Sequence, residues 1–182
     1  MWTVVAVSVI LALLAVLGVR QFVTEPFRIP SESMQPTLQR GDVILVDRST
    51  RGTAERGQVV VFDGTGYFSS ADGSTHFWTK RVIGIGGDEV QCCSPSGAIT
   101  VNGDELDEPY LPPGVKPSAQ EFHVKVPAGR MFVLGDNREN SADSRSQLGA
   151  PGGGMVPVER VRGEVRWIVL PPGRFGGAPD LG

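Results

Sequence analysis

Ile99-Thr-Val-Asn-Gly-Asp-Glu-Leu106 reads as two short extended runs joined at Asn102-Gly103. A two-residue type I′ turn needs positive φ at both central positions, which Gly adopts freely and Asn tolerates. The stretch therefore predicts an antiparallel hairpin, and the sequence on either side repeats the extended pattern. Downstream, Phe122, Val124 and Val126 alternate with His123 and Lys125, which marks one buried face of a strand. Met131-Phe-Val-Leu134 and Glu164-Val-Arg-Trp-Ile-Val-Leu170 are two further strand-like runs. Upstream, Lys80 to Ile85 ends at Gly86-Gly87, Gln58-Val-Val-Val-Phe62 follows Gly57, and Asp42-Val-Ile-Leu-Val-Asp47 follows Gly41. No helical period is sustained after residue 20. Short strands punctuated by Gly and Pro predict a mostly β domain, an antiparallel barrel or sandwich.

The N-terminus is different. From Met1 to Val19 no residue is charged, and the run is rich in Val, Ala, Leu and Ile. As a helix it would be about 28 Å long, close to the hydrocarbon thickness of a bilayer. A cleaved signal peptide would start with a basic residue and end at a small-residue site. This run has neither, so one N-terminal transmembrane helix is expected. The resulting organisation is an anchor over 1–22, a β catalytic domain over 23–172, and a flexible Pro/Gly-rich tail over 173–182. Loops are expected around 65–75, 108–119 and 149–154. Arg20 and Arg28 follow the run, which by charge alone would place the β domain inside the cell.

The 182 residues carry a formal net charge of −3 and no basic tract, which excludes nucleic acid as a partner. Nothing in the sequence calls for a metal or an organic cofactor. Cys92 and Cys93 are adjacent. Across a trans peptide their Cα atoms would lie about 3.8 Å apart, too close for an unstrained bridge, so two idle thiols are favoured over a strained, redox-labile pair or a link to another molecule.

Three stretches carry chemistry. The first is Ile29-Pro-Ser-Glu-Ser-Met-Gln-Pro-Thr-Leu38. Pro30 and Pro36 fix φ and keep their predecessors out of the helical region, so Ser31 and Ser33 sit on stiff, non-helical backbone. A linker would read similarly, but Met34 and Leu38 are apolar residues that linkers seldom carry. The second is Phe77-Trp-Thr-Lys-Arg-Val-Ile-Gly84, where strand alternation puts Lys80 on one face with Trp78 and Val82, and Arg81 on the other. Burial of a lysine lowers its pKa and populates the neutral amine, which can take a proton from a serine hydroxyl. A snorkelling surface lysine is the bland alternative. The third is Leu134-Gly-Asp-Asn-Arg-Glu-Asn-Ser-Ala-Asp-Ser-Arg145, in which most side chains can hydrogen-bond. There Asp143 can pair with Arg145 or Arg138, and Ser141 can orient an amine. His76 and His123 are the other possible bases, but neither sits in a context that points to a Ser-His-Asp triad.

Taken together and in this order, the three stretches resemble the motifs of bacterial type I signal peptidases, the Ser/Lys leader peptidases, over roughly residues 20 to 170. Ser31 to Leu38 resembles their nucleophile motif, Lys80 to Asp88 their lysine motif, and Gly135 to Arg145 their third signature. The resemblance implies that Ser33 is the nucleophile and Lys80 the general base. It implies that Ser31, with the Ser33 backbone N–H, forms the oxyanion hole, and that Ser141 orients the Lys80 amine. Asp143 and Arg145 would form a supporting salt bridge, with Asp136, Asn137 and Arg138 shaping the loop. Phe27, Ile29, Pro30, Met34, Leu38, Trp78 and Thr79 would line two shallow apolar pockets that accept Ala at alternate positions of an extended peptide. The implied partners are secretory precursor proteins and membrane lipid. The implied location is the bacterial cell membrane, with one span and the catalytic domain on the extracytoplasmic side, against the charge reading above.

The sequence departs from the family at Gly86-Gly87, at the adjacent cysteines and at the Gly149 to Gly154 segment, none of which touches the expected catalytic set. A self-cleaving Ser/Lys repressor protease shares the dyad logic but would carry a DNA-binding domain in place of the apolar run. An anchored extracytoplasmic β-domain acting as a binding module, without catalysis, is the non-enzyme alternative.

Overall fold

The computed structural model describes residues 2, 5–11, 23–68, 76–150 and 152–177. Its strands in chain order are β1 (Thr24–Arg28), β2 (Val43–Asp47), β3 (Val59–Asp63), β4 (Phe77–Ile85), β5 (Glu89–Cys92) and β6 (Ile99–Val101). They continue with β7 (Asp104–Glu105), β8 (Phe122–Lys125), β9 (Arg130–Leu134), β10 (Val156–Pro157), β11 (Val161–Leu170) and β12 (Gly176–Gly177). The larger sheet runs β1-β2-β11-β3-β4-β9-β10, with β12 added to β11, and every pairing in it is antiparallel. It curls into a half-barrel.

The expectation was a mostly β domain, an antiparallel barrel or sandwich; the domain is mostly β and antiparallel, and the large sheet stops at a half-barrel. One reason lies at β10, which is two residues long and includes Pro157. Proline has no N–H to donate to a further strand, so the ladder stops there.

The smaller sheet, β7-β6-β5-β8, contains the hairpin expected from Asn102-Gly103. Asn102 has φ 57° and Gly103 φ 91°, and Val101 faces Asp104 across the turn. Along β8, Phe122 is buried while His123 and Lys125 are exposed, as the alternation predicts.

The core sits on both faces of the central strands. Val59 and Val61 of β3 pack with Ile44, Val46, Val165 and Ile168. Val60 and Phe62 point the other way, into Val82, Met131 and Val133. A continuous apolar run is what a strand covered on both sides requires. The smaller sheet docks through Val90, Ile99, Phe122 and Val126 onto Ile83, Phe132 and Leu134 of β4 and β9. Each such side chain contributes about 1.5–3 kcal/mol on burial. The packing makes β4 the shared wall between the two sheets.

Residues 5–11 are helical, with exposed apolar side chains such as Val5 and Leu11. Among the described residues no helix is long and apolar enough to cross a membrane. The anchor expected over 1–22 lies mostly outside them, as do 69–75 of one expected loop, residue 151 of another, and 178–182 of the tail. The start of the tail is structured: Gly176 and Gly177 pair with Ile168 and Trp167, and Arg174 bonds the buried Asp42 at 3.0 Å. Cys92 and Cys93 form a disulfide. The expectation of idle thiols assumed a trans peptide between them, and that peptide is cis.

Candidate active site

Ser33 lies in the loop from β1 to β2, and the loop is closed at its neck. Ile29 N donates to Asp42 O at 2.8 Å, and Gly41 N donates to Ile29 O at 2.8 Å. Inside the neck, Leu38 N donates to Met34 O at 2.9 Å, a local turn. Ile29, Met34 and Leu38 are all buried in the core with Ile44 and Val46. The apolar residues that set this stretch apart from a linker are thus its plugs. They hold the Ser31 and Ser33 backbone against the sheet.

Lys80 belongs to β4, opposite Val60 of β3. It is 2% exposed, and its Nζ donates to Ser33 Oγ at 2.6 Å. Loss of solvent on burial pushes the Lys80 amine down to about 8, against the opposing pull of the Asp143 and Asp136 carboxylates, while Arg145 adds to the drop. A neutral amine at this distance can accept the hydroxyl proton. The Trp78 ring lies 5.6 Å from Nζ. Ser31 Oγ is 3.3 Å from Ser33 Oγ.

The third stretch wraps around this pair. Asn137 N donates to Ser33 O at 3.1 Å, and Asn137 Nδ2 donates to Glu32 O at 3.1 Å. Asp143 accepts from Arg145 Nη2 at 2.7 Å and Nε at 2.9 Å, and from Gly135 N at 3.1 Å. Of the two partners the sequence allowed for Asp143, Arg145 is the one used. Arg138 turns instead to Glu108, 2.6 Å away.

Asp136 makes a contact that the sequence did not reveal. It takes Arg81 Nε at 2.9 Å and Nη2 at 2.7 Å, and Thr37 Oγ1 at 2.6 Å. Arg81 and Asp136 are each 1% exposed. The Tyr110 ring stacks on Arg81 with the guanidinium carbon 3.8 Å from its centroid. Arg81 was placed on the face away from Lys80, with no role attached. Its signal was weak because its partner lies 55 residues away in sequence. Glu108 and Tyr110, in a segment read as a Pro-rich loop, were likewise missed.

Two expectations need correction. Ser141 Oγ is buried without a hydrogen-bond partner, so it makes no bond to the Lys80 amine. It is nevertheless close by: a Cβ built on Gly135 would overlap both Ser141 Oγ and the Ser33 carbonyl oxygen. Ile29, Met34 and Leu38 line neither hollow at the site and belong to the core. Apolar residues in a loop look the same in sequence whether they line a pocket or plug a core. The other expected pocket residues stay at the surface. Pro30 and Trp78 border a hollow of about 420 Å³ together with Ser33 and Lys80. Phe27, Pro30 and Thr79 border an adjacent one of about 380 Å³.

Among the described residues, β4 leaves an edge open beside these hollows. Phe77–Arg81 pair with β3 on one side, but β9 pairs only from Arg81 onward. An extended peptide can therefore add to Phe77–Lys80 with main-chain bonds and reach the Ser33 hydroxyl. Neither histidine contacts Ser33: His76 meets Thr65 Oγ1 at 3.2 Å, and His123 pairs with Glu89. Among the described residues no group of three His, Cys, Asp or Glu is placed to hold a metal ion.

Because Gly135 is pressed between Ser33 and Ser141, Gly135→Ala is expected to displace the nucleophile loop. The expected result is a loss of about 1–3 kcal/mol in stability and a disproportionate drop in activity. Urea denaturation beside a peptide-cleavage assay checks it. Wild-type values in both would mean that the loop has slack the packing does not show.

Comparison with known proteins gives the class: the chain is a serine endopeptidase. The chain matches the family model described as "Signal peptidase, peptidase S26" over residues 2–170. It is 38% identical to the "Probable signal peptidase I" of Mycobacterium leprae, with 88% of this chain and 73% of that protein covered. It is 39% identical to the "Signal peptidase I" of Mycobacterium tuberculosis H37Rv, with 94% and 73% covered. A signal peptidase I crystal structure from Enterococcus faecalis V583 aligns with a TM-score of 0.46 at 26% identity, over 62% of this chain and 96% of that one. The chain belongs to the S26 signal peptidase family.

Proposed function

We propose that this chain is a membrane-bound serine endopeptidase that removes N-terminal signal peptides from secreted precursors, cleaving after an Ala-x-Ala-like site. The observation that carries the reading is the 2.6 Å contact between Lys80 Nζ and Ser33 Oγ in a buried setting. Ser33 attacks the scissile carbonyl, and the neutral Lys80 amine takes its proton. The resulting ammonium then returns a proton to the leaving amine. The Ser33 N–H and the Ser31 hydroxyl stabilise the developing oxyanion, a contribution of about 10²–10³ in rate per donor. Asp143–Arg145 and the Asn137 bonds keep the loop in register with the lysine.

Membrane anchoring by the N-terminal run and an extracytoplasmic catalytic domain complete the reading. It is supported by exposed Trp167, Leu170 and Phe175, which offer apolar surface to lipid.

The test is cleavage of a purified precursor bearing an Ala-x-Ala site by the full chain in detergent, with the new N-terminus mapped by mass spectrometry. A single cut after that site is expected. Replacement of the Ala before the cut by Phe should block cleavage. No cut by the folded protein across several precursors would favour the non-catalytic binding module.

The pH dependence follows from the depressed lysine. Only the neutral amine is a base, so kcat/KM should rise with pH and level off above about 8. Below that point it should fall about tenfold per unit. An acid limb near pH 10, where an ordinary exposed lysine titrates, would rule out Lys80 in its buried state as the base.

A further inference from the structure

Arg81, Glu108, Tyr110 and Arg138 form a buried cluster that takes no part in breaking the peptide bond. Lys80 lies on β4, whereas Ser33 lies in the loop before β2, and the reaction needs them within hydrogen-bond reach of each other. Asp136 is the joint between those two elements. It binds Arg81, next to Lys80 on β4, and Thr37 in the Ser33 loop. Its neighbour Asn137 holds the Ser33 and Glu32 carbonyls. Whatever fixes Arg81 against Asp136 therefore helps to fix the nucleophile against its base.

The Pro-rich segment after β7 supplies such a restraint. The buried Tyr110 ring has its centroid 3.8 Å from the Arg81 guanidinium carbon and 5.8 Å from that of Arg138. An aromatic face attracts a guanidinium and keeps water from it. The Tyr110 hydroxyl donates to Glu108 at 2.7 Å and accepts from Arg138 Nη2 at 3.3 Å. Burial and the adjoining Glu108 carboxylate raise the pKa of the phenol, so it stays a donor. Glu108 in turn takes Arg138 Nη2 at 2.6 Å and Nη1 at 3.3 Å. Arg138 Nε donates to the Gly135 carbonyl at 2.9 Å, and Gly135 is the residue pressed against Ser33.

We infer that Tyr110 is a positioning residue for the Ser33–Lys80 pair, acting through Arg81 and Asp136, and that Glu108 holds the Tyr110 ring and Arg138 in place. The inference rests on the signal-peptidase reading above. An aliphatic side chain at position 110 leaves the Arg81 guanidinium a gap to tilt into. Asp136 is drawn with it, and through Asn137 so is the Ser33 carbonyl. A shift of about 1 Å that starts far from the reacting bond can cost about 10² in rate. Substrate binding should be spared, because none of these four side chains lines either hollow at the site.

The experiment uses the full chain in detergent and a peptide with an Ala-x-Ala site. Rates are measured well below each variant's unfolding midpoint and divided by the folded fraction from near-UV circular dichroism. Tyr110→Leu should lower kcat about 30-fold with KM changed less than about twofold. Tyr110→Phe keeps the ring on Arg81, so its kcat should stay within about threefold of wild type. Glu108→Leu with Arg138→Met removes both partners of a buried ion pair, so stability should stay near that of wild type. Its kcat should still fall about tenfold, because the ring and the Gly135 carbonyl both lose their tether. Wild-type kcat in folded Tyr110→Leu would overturn this inference alone, and so would a KM that rises in step with the loss. Should Tyr110→Leu not fold, the double variant decides: wild-type kcat there would make the cluster structural only. A wild type that never cuts the peptide would overturn the inference together with the signal-peptidase reading.

Discussion

Ser33→Ala and Lys80→Met are each expected to lower cleavage by a factor of about 10³ or more, and the two should differ in stability. Ser33→Ala removes one hydroxyl that already has a partner on either side, Lys80 Nζ and Ser31 Oγ. Lys80→Met keeps most of the side-chain volume but removes a cation buried at 2% exposure. Its folded-state pKa of about 8 lies below the ordinary 10.5. The unfolded chain therefore binds more protons than the folded one between those two values. Below pH 8 the folded state carries the full penalty of a buried ammonium, on the order of 3 kcal/mol. That penalty fades as pH rises through the window.

Lys80→Met should accordingly be more stable than wild type at pH 7, with the gain shrinking toward pH 10. Urea denaturation at both pH values, beside the cleavage assay, reads both effects. An inactive Lys80→Met protein that is less stable than wild type at pH 7 would mean that the lysine is held by contacts stronger than its desolvation. Undiminished cleavage would remove Lys80 from the mechanism and bring His76 back into consideration.

Asp136→Ala is expected to cost about 3–5 kcal/mol, the largest stability loss of any single polar substitution at the site. Arg81 would lose both carboxylate bonds, its charge-compensating partner, while its bond to the Gly57 carbonyl at 2.8 Å and the Tyr110 ring remain. A guanidinium at 1% exposure cannot recruit water to replace them. Thr37 would lose its acceptor as well. The damage should spread to catalysis through the next residue, because Asn137 holds the Ser33 and Glu32 carbonyls. The Asp136 charge also raises the Lys80 pKa, so the acid limb of the surviving activity should move to lower pH. Replacing the pair together, Arg81→Met with Asp136→Leu, should recover much of the stability, since the orphaned charge is then gone. A loss under 1 kcal/mol for Asp136→Ala would show that the pair is not what ties β4 to the third stretch.

Local signals in the sequence translated well. Asn102-Gly103 needs positive φ at two neighbouring residues, a condition that no distant contact alters. The apolar run of β3 was legible as a strand, and the structure covers it on both faces. The Ser33, Lys80 and Asp143–Arg145 positions were legible because long motifs carried them, and the structure brings them together. What stayed hidden was non-local. Strand order across the half-barrel depends on which strands meet, and β1 and β5 have too few apolar residues to stand out. β4 begins at Phe77, three residues before the strand was expected to start, and those residues form the open edge. The Arg81–Asp136 pair and the Tyr110 stack join segments far apart in the chain. Met34 and Leu38 were assigned to a pocket because their position in the motif said so, and the core claimed them.

The handover at Arg81, where β9 takes the place an added peptide would occupy, makes the grip on a substrate one-sided. If the chain cleaves precursors as proposed, main-chain bonds along β4 can hold only the stretch before the cut, and among the described residues no free edge of β4 continues past Arg81. The downstream chain is then expected to leave first and the upstream fragment more slowly. The upstream fragment is the expected product inhibitor, and the size or fold of the downstream chain is expected to have little influence on turnover.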